Sequence, residues 1–402
     1  MTQDLSIVGG IYVERCIQPL WDAVYGSAGR AAHAVRSLIS GRISLYSYVG
    51  DSVKAQAEHM ASDCDAILVA FATGQSISFD YLHPMSTPII RPSPKRTGSQ
   101  EPIAVRGEVV LRFGMLEGDG LVDADVAIYD PQSAFGAVSF EQNGSRAGRL
   151  AVIMNRGEAQ HMTGDADPAT AASRLIGRGP AEVVVVKMGG NGAILATKQG
   201  ASIIPAYRSS RVWKIGSGDV FSATFAALWG CQNLDPREAA DLASRAVAYY
   251  CDTRTLPVPP IADLRAERRE SVAPTRGTVY LAGPFFDLAQ RWFVEEARLQ
   301  LSTLGASVFS PVHEVGPGPA SIVGPADIAG LERSDAVFAI LNGLDTGTVF
   351  EVGYAVKKGI PVVCLAQNLG SEDLKMIEGT GCEIVDDFVS ALYRTIWRLP
   401  KA

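Results

Sequence analysis

Glu351 sits between Phe350 and Val352 in the stretch DTGTVFEVGYAVKKG, residues 345 to 359. A glutamate on a helix surface commonly faces a lysine four residues on. Here position 355 is alanine and Lys358 is two turns away, so Glu351 has no evident ionic partner. Asp345 precedes it on the same stretch, Asp327 stands ahead of the preceding apolar run, and Tyr280 and Gly283 lie in VYLAGPFF. Acids gathered in a partly apolar crevice suit the breaking of a glycosidic bond. One carboxylate attacks the anomeric carbon or stabilises its oxocarbenium-like charge, while an acid or a bound water protonates the departing group. Taken singly, Asp327 reads as a helix cap, Asp345 as a turn residue and Tyr280 as core packing. Jointly those readings leave Glu351 unexplained.

A second chemical stretch is IGSGDVFSATFAALWG, residues 215 to 230. The backbone N–H groups of Gly216, Ser217 and Gly218, with the positive end of the helix that follows, form a cradle for an anion. Asp219 then stands beside a bound phosphate, where a carboxylate takes a proton from an attacking hydroxyl. A Gly-rich strand-to-helix turn with a first-turn aspartate fits the same residues.

The elements that must hold these groups follow from the apolar pattern. AVFAILNG (336 to 343) and IPVVCLA (360 to 366) are strand-length runs, and the segment between them is a crossover helix. Val349, Val352, Gly353 and Val356 predict its sheet-facing stripe. A helix is predicted to begin at Asp327, after Gly324-Pro325. In an open parallel sheet the carboxyl ends of the strands form the ligand crevice, so Tyr280, Gly283, Asp327, Asp345 and Glu351 are expected to converge there.

Upstream, LSIVGGIYV, RISLYSYVG, DAILVAFA, DVAIYD, LAVIMN and EVVVVKMG read as strands. They alternate with helical patterns such as DPREAADLASRAVAYYC, the signature of an α/β domain with a mostly parallel sheet. RPSPKRTGSQEP (91 to 102) reads as an exposed loop. The Pro-rich, then charged stretch 256 to 277 separates two periodic regions. We therefore expect a domain over 1–262, a linker over 263–276 and a smaller parallel α/β domain over 277–402.

With 36 basic against 43 acidic residues the net charge is -7, which implies no surface for polymeric nucleic acid. No run approaches a bilayer-spanning length and no basic-then-apolar leader opens the sequence, so no membrane partner and a cytoplasmic location are expected. The six cysteines are scattered without a CxxC pair, which predicts reduced thiols, and the five histidines form no metal cluster.

Residues 5 to 260 resemble the PfkB (ribokinase-like) family of sugar and nucleoside kinases. The pieces that carry the resemblance are the loop GSGD with its small-residue helix, MNRGEAQHMTG (154 to 164), VVVVKMGGNGAILA (183 to 196) and YVGDS (48 to 52). The resemblance implies a three-layer α/β/α fold, Asp219 as catalytic base, and Gly216, Ser217 and Gly218 around the transferring phosphate. It also implies Asn155 and Glu158 organising Mg2+ and the phosphates indirectly, with Lys187, Gly189 and Gly192 near ATP. Departures cluster on the acceptor side. Glu14 stands where the family places a substrate-binding aspartate, Ala31 where it places an asparagine, and Trp213, Lys214 and Ile215 where it has Asp-Thr-x.

Residues 277 to 395 resemble the nucleoside 2-deoxyribosyltransferase family in YLAGPFF, SDAVFAIL and DTGTVFEVGYAVKKGIPVV, in that order and with the same Asp-x5-Glu spacing. This implies a flavodoxin- or Rossmann-like fold, Glu351 as a nucleophile forming a glycosyl intermediate, Asp345 and Asp327 handling the base and its proton, Tyr280 orienting the glutamate, and no cofactor. Family sites are often completed by a neighbouring subunit, which implies a homo-oligomer, dimer or higher. SEDLKMIEG (371 to 379) keeps Met376 but lacks the asparagine that usually reaches the sugar 5′ position.

The expectation is a bifunctional enzyme acting on small nucleosides and nucleotides, by ATP-dependent phosphorylation in the first part and N-glycosidic cleavage or transfer in the second. Two alternatives stay open: a degenerate kinase domain that senses a nucleotide and regulates the glycosidase, and a glycosidase acting on a dinucleotide such as NAD.

Overall fold

Val183–Lys187 reads VVVVK, a β-branched run without polar alternation, which is stable only with both faces covered. The computed structural model of the chain, which describes residues 3–132 and 136–401, sets this run inside a nine-stranded sheet. In chain order the strands of the N-terminal unit are β1 (Leu5–Val8), β2 (Val13–Cys16), β3 (Trp21–Val24), β4 (Ile43–Gly50), β5 (Ala66–Thr73), β6 (Ser78–Tyr81) and β7 (Ile89–Arg91). They continue with β8 (Ile103–Phe113), β9 (Gly120–Asp130), β10 (Arg146–Asn155), β11 (Val183–Lys187), β12 (Ala193–Thr197) and β13 (Gly200–Ile204). The large sheet runs β13-β12-β11-β10-β9-β8-β1-β4-β5 and is parallel except where β12 pairs with β11 and β13.

Strand pleating divides the core. Val183 and Val185 join one apolar cluster with Val220 and Phe225 from the helix Ser217–Phe225, and Val184 and Val186 join another with Ala171 and Ala172 from the helix Pro168–Arg178. The N-terminal unit is thus the mostly parallel α/β domain expected from the alternating pattern, in the three-layer α/β/α form that the family resemblance implies. Two features were not legible there. LSIVGGIYV is not one strand but breaks after Val8, and β2 leaves for a separate four-stranded sheet, β3-β2-β6-β7. The strand β8 was also missed, because RGE interrupts its apolar run at 106–108.

The C-terminal unit has five parallel strands: β14 (Thr278–Ala282), β15 (Ser307–Phe309), β16 (Ala336–Ile340), β17 (Val362–Leu365) and β18 (Glu383–Val385). Their order is β15-β14-β16-β17-β18, the 2-1-3-4-5 arrangement of flavodoxin-like sheets. Helices open on aspartate caps. Asp287, Asp345 and Asp387 each accept from the backbone N–H three residues on, which satisfies a donor the helix itself leaves open.

The chain divides into two compact units, one ending at Ser271 and the other formed by Val272–Ala402 with the short piece Ser210–Val212. The stretch expected as linker holds part of the helix Ile261–Ala266. None of the six cysteines forms a disulfide, and five of them are buried. Among the described residues no helix is long and apolar enough to cross a membrane.

Candidate active sites

In the C-terminal unit the crossover helix is Thr346–Lys358, and its buried residues are Thr348, Val352 and Ala355. The expected stripe was therefore rotated. Val349 and Gly353 face solvent, and Glu351 lies on the inward side beside Val352. The start of the helix sets this rotation: Asp345 Oδ2 accepts from Thr348 N–H at 2.7 Å and from its Oγ1 at 2.9 Å, and Thr348 is buried. Once Thr348 faces the sheet, positions 351, 352 and 355 follow it. The loops at the ends of β16 and β17 are tied by Asn342 and Gln367, each amide bonding the other residue.

Tyr280 is fully buried on the interior strand β14 and stacks on Phe309 at 5.5 Å between ring centroids. Its hydroxyl donates to Glu351 Oε1 at 2.5 Å. The partner missing from the helix pattern is thus a phenol 71 residues earlier. Burial pushes the Glu351 carboxyl up to about 7, Asp327 and Asp345 push the same way, and the Tyr280 bond pulls it down. The Tyr280 hydroxyl is itself raised by burial and by Glu351.

Asp327 does not open a helix. The helix is Ala320–Glu332 and runs through Pro325. Gly324-Pro325 signalled a break, but the chain there gives up one backbone bond rather than the helix. Asp327 therefore projects from the helix body, with a buried Oδ1 that has no hydrogen-bond partner, and burial raises its pKa. Gly330 lets this helix approach, since a Cβ there would lie 2.2 Å from the Phe309 ring. Glu351, Tyr280, Asp327 and Asp345 thus come together. Gly283 follows β14, and a Cβ there would stand 3.1 Å from Ile340 Cβ, so its place is one of close packing.

In the N-terminal unit Asp130, Asn155 and Lys187 end the three neighbouring strands β9, β10 and β11, where a parallel sheet offers its crevice. Lys187 Nζ bonds Asp130 Oδ2 at 2.7 Å, and Ser222 Oγ donates to the same oxygen at 2.7 Å. Burial works against the Lys187 ammonium, but Asp130 and Glu158 outweigh it and keep the group charged. A Cβ on Gly218 would stand 3.4 Å from Lys187 Nζ, so the lysine flanks the loop Gly216–Gly218. Lys214 Nζ donates to Ser217 Oγ at 2.9 Å, and burial lowers its pKa. Gly189 and Gly192 border the turn after β11, both with positive φ.

Asn155 and Glu158 form a reciprocal cap on the helix Arg156–Thr163. Asn155 Oδ1 accepts from Glu158 N–H at 2.9 Å, and Glu158 Oε2 accepts from Asn155 N–H at 2.7 Å. Burial, then Asp130, raises the Glu158 carboxyl. Among the described residues no three His, Cys, Asp or Glu side chains form a group that could hold a metal ion.

Asp219 lies in the first turn of its helix and is held from two sides. Gln132 Nε2 donates to Oδ1 at 2.6 Å, and Arg30 Nη1 donates to Oδ2 at 3.0 Å. Arg30 is 1% exposed. Its Nη1 also donates to Glu14 Oε1 at 2.9 Å, its Nη2 pairs with Glu14 Oε2, and its Nε donates to the Tyr250 hydroxyl at 3.1 Å. Gly216, at φ +73, makes room for it, since a Cβ there would lie 2.0 Å from Arg30 Nε. The guanidinium was missed in sequence, although an arginine inside GSAGRAAHA, a run of small residues, was a usable signal. Asp130 was signalled by its place at a strand's carboxyl end.

Two family profiles match the chain: pfkB family carbohydrate kinase over residues 147–253, and nucleoside 2-deoxyribosyltransferase over residues 279–384. Among solved structures, a ribokinase candidate from Agrobacterium tumefaciens is 15% identical, with a TM-score of 0.50, covering 66% of this chain and 97% of its own. A fructokinase from Vibrio cholerae, solved with fructose, ADP and calcium, is 17% identical with a TM-score of 0.49, over 66% and 98%. An aminoimidazole riboside kinase from Salmonella enterica, solved with its riboside and an ATP analogue, is 15% identical with a TM-score of 0.49, over 65% and 99%. At such identities the likeness is one of fold, and it makes the N-terminal unit ribokinase-like. No curated protein matches. The chain therefore joins a PfkB-like region to a nucleoside 2-deoxyribosyltransferase-like region, and both families are families of enzymes.

Proposed function

We propose that the chain is a two-part enzyme of nucleoside metabolism whose C-terminal unit cleaves or transfers the N-glycosidic bond of a nucleoside or its 5′-monophosphate. The observation that carries this reading is the 2.5 Å bond from Tyr280 to a glutamate whose carboxyl sits near pH 7 beside two further acids. Glu351 attacks C1′ through its free oxygen, and Tyr280 fixes its rotamer. Asp327, its pKa raised, carries the proton for the departing base, and Asp345 contacts that base through Oδ1, the oxygen not used in capping. Water or a second base then releases the sugar from Glu351. Exposed Phe286, Leu288, Trp292, Phe350 and Met376 on this unit suit burial against a second copy, which static light scattering would detect as a dimer or larger. The test of the chemistry is a panel of nucleosides, 5′-monophosphates and NAD with free base as the readout. Release by the native chain and none by Glu351→Ala is expected; equal release by both would end the reading.

The N-terminal unit phosphorylates a sugar or nucleoside hydroxyl with ATP. Asp219 receives the hydroxyl proton, and the loop N–H groups with Lys187 and Lys214 hold the phosphates. Mg2+ held through water by Asn155 and Glu158 would supply charge neutralisation on those phosphates. One observation favours a second reading, a nucleotide sensor: Arg30 already engages both Asp219 and Glu14. Asp219→Asn distinguishes them. A kinase loses about 10²–10⁴-fold in phosphoryl transfer and keeps its nucleotide affinity; a sensor has no transfer to lose.

A further inference from the structure

The cavity beside Asp219 has a volume of about 350 Å³ and a lining of two kinds. Its polar lining is Glu14, Arg30, Gln132 and Asp219, and its largely apolar lining is Phe79, Tyr81, Ile90, Met115 and Leu116, with Phe79 facing Glu14 across the β2–β6 pair. Phe79 and Tyr81 come from β6 with rings nearly parallel, 6.5 Å apart at 19°, and Tyr12 meets Phe79 at 5.2 Å. The Tyr12 hydroxyl is already committed, donating to Glu117 at 2.7 Å and accepting from Leu116 N–H at 3.2 Å, so Tyr12 offers a ligand ring surface. Among the described lining residues Arg30 is the only cation, and its nitrogens are spent on Glu14, Asp219 and Tyr250. Two carboxylates against one guanidinium leave the lining with a formal charge of about -1.

We propose that this pocket takes an intact, unphosphorylated nucleoside, its hydroxyls at Asp219 and its base against Phe79 and Tyr81. A free sugar has no flat apolar surface to cover the rings. A nucleotide or sugar phosphate brings a dianion to a lining that is already negative and whose cation is consumed, and like charge there selects against it. The proposal rests on reading the N-terminal unit as a kinase-type pocket, and it fixes the order of the two reactions. With ATP, the nucleoside hydroxyl oxygen bonds to the γ-phosphorus as the bond to the β,γ-bridging oxygen breaks. The hydroxyl proton passes to Asp219, leaving ADP and a nucleoside phosphomonoester. The C-terminal site then receives that nucleotide and a water: the C1′–N bond breaks, the base leaves with a proton, and the water's hydroxyl ends on C1′ of the sugar phosphate.

The test uses the full chain carrying Glu351→Ala, so that nothing is consumed at the second site. Adenosine, cytidine, ribose, AMP and CMP are titrated calorimetrically, and label from γ-³²P ATP is followed onto each. Phe79→Ala and Tyr81→Ala are compared with this background, and Phe79→Leu removes the flat face while keeping apolar volume should alanine disturb folding. Expected are binding and labelling of a nucleoside that fall at least about tenfold on loss of either ring, consistent with the worth of base–aromatic stacking. Ribose and the monophosphates should show no ring-dependent binding. Ribose labelled as well as the nucleosides, monophosphate binding that falls with the rings as the nucleosides' does, or no effect of the ring substitutions would overturn the proposal while leaving a kinase in place. Ring-dependent nucleoside binding with no label transferred would uphold the pocket and remove the kinase reading instead.

Discussion

The acids of the two units are compensated in opposite ways. Glu351 is bonded by a neutral phenol and stands near Asp327 and Asp345, so the cluster carries no cation and the Glu351 carboxyl rises to about 7. Asp219 and Glu14 are instead paired by one buried guanidinium. A neutral donor orients a carboxylate without cancelling its charge, which leaves it reactive and uncomfortable. A cation settles the charge before a ligand arrives, so the ligand must share the acids with Arg30. On the proposed function, the first arrangement suits an acid that forms a bond and the second suits recognition.

The contrast breaks most visibly at the nucleophile. Glu351→Ala should lower base release on the order of 10³-fold or more and leave phosphate transfer untouched, measured on one preparation by base release and γ-phosphate transfer. A parallel loss of both activities would mean that the units are not separable in this way. Next in size, Arg30→Met should destabilise the N-terminal unit by about 3–5 kcal/mol, because two buried carboxylates then lose their shared cation. Chemical denaturation followed by fluorescence measures this, and a change below about 1 kcal/mol would show that the acids have solvent or another partner.

Sequence made the architecture legible because the two main sheets are wholly or mostly parallel and buried, and runs such as VVVVK have no other stable placement. The C-terminal acids were found through an absence, a glutamate without an i+4 lysine, yet the helix face was off by one position. Thr348, counted as polar, is buried at the price of a bond to Asp345, and apolar periodicity does not encode that exchange. Arg30 escaped for a related reason. Its partners lie 16, 189 and 220 residues away, so the charge looked isolated until the fold closed around it.

Tyr280→Phe sharpens the comparison from the other side. It removes the donor that draws the Glu351 carboxyl down, so burial and the neighbouring acids act unopposed. Attack requires the carboxylate, so base release in the native chain should rise with pH through a midpoint near 7. The phenylalanine variant should move that midpoint upward and cost about 10-fold at its plateau, the scale of one hydrogen bond to a charged group. An unchanged midpoint in a pH–rate profile would detach the tyrosine from the glutamate.

The smallest effect concerns stability. A carboxyl near 7 when folded and near 4.5 when unfolded binds its proton more tightly in the native state. The C-terminal unit therefore loses stability as pH rises from about 4.5 to 7, and the loss is complete above 7. The full shift corresponds to about 3 kcal/mol, and partial solvent access reduces it to about 1–2 kcal/mol. Glu351→Gln keeps an acceptor for Tyr280 and removes the charge, so it should match the native chain near pH 4.5 and exceed it by that amount at pH 8. Melting of the C-terminal unit across this range gives the answer. A gain that is constant with pH would place the benefit in packing rather than charge, and the reactive acid would then carry no cost to the fold.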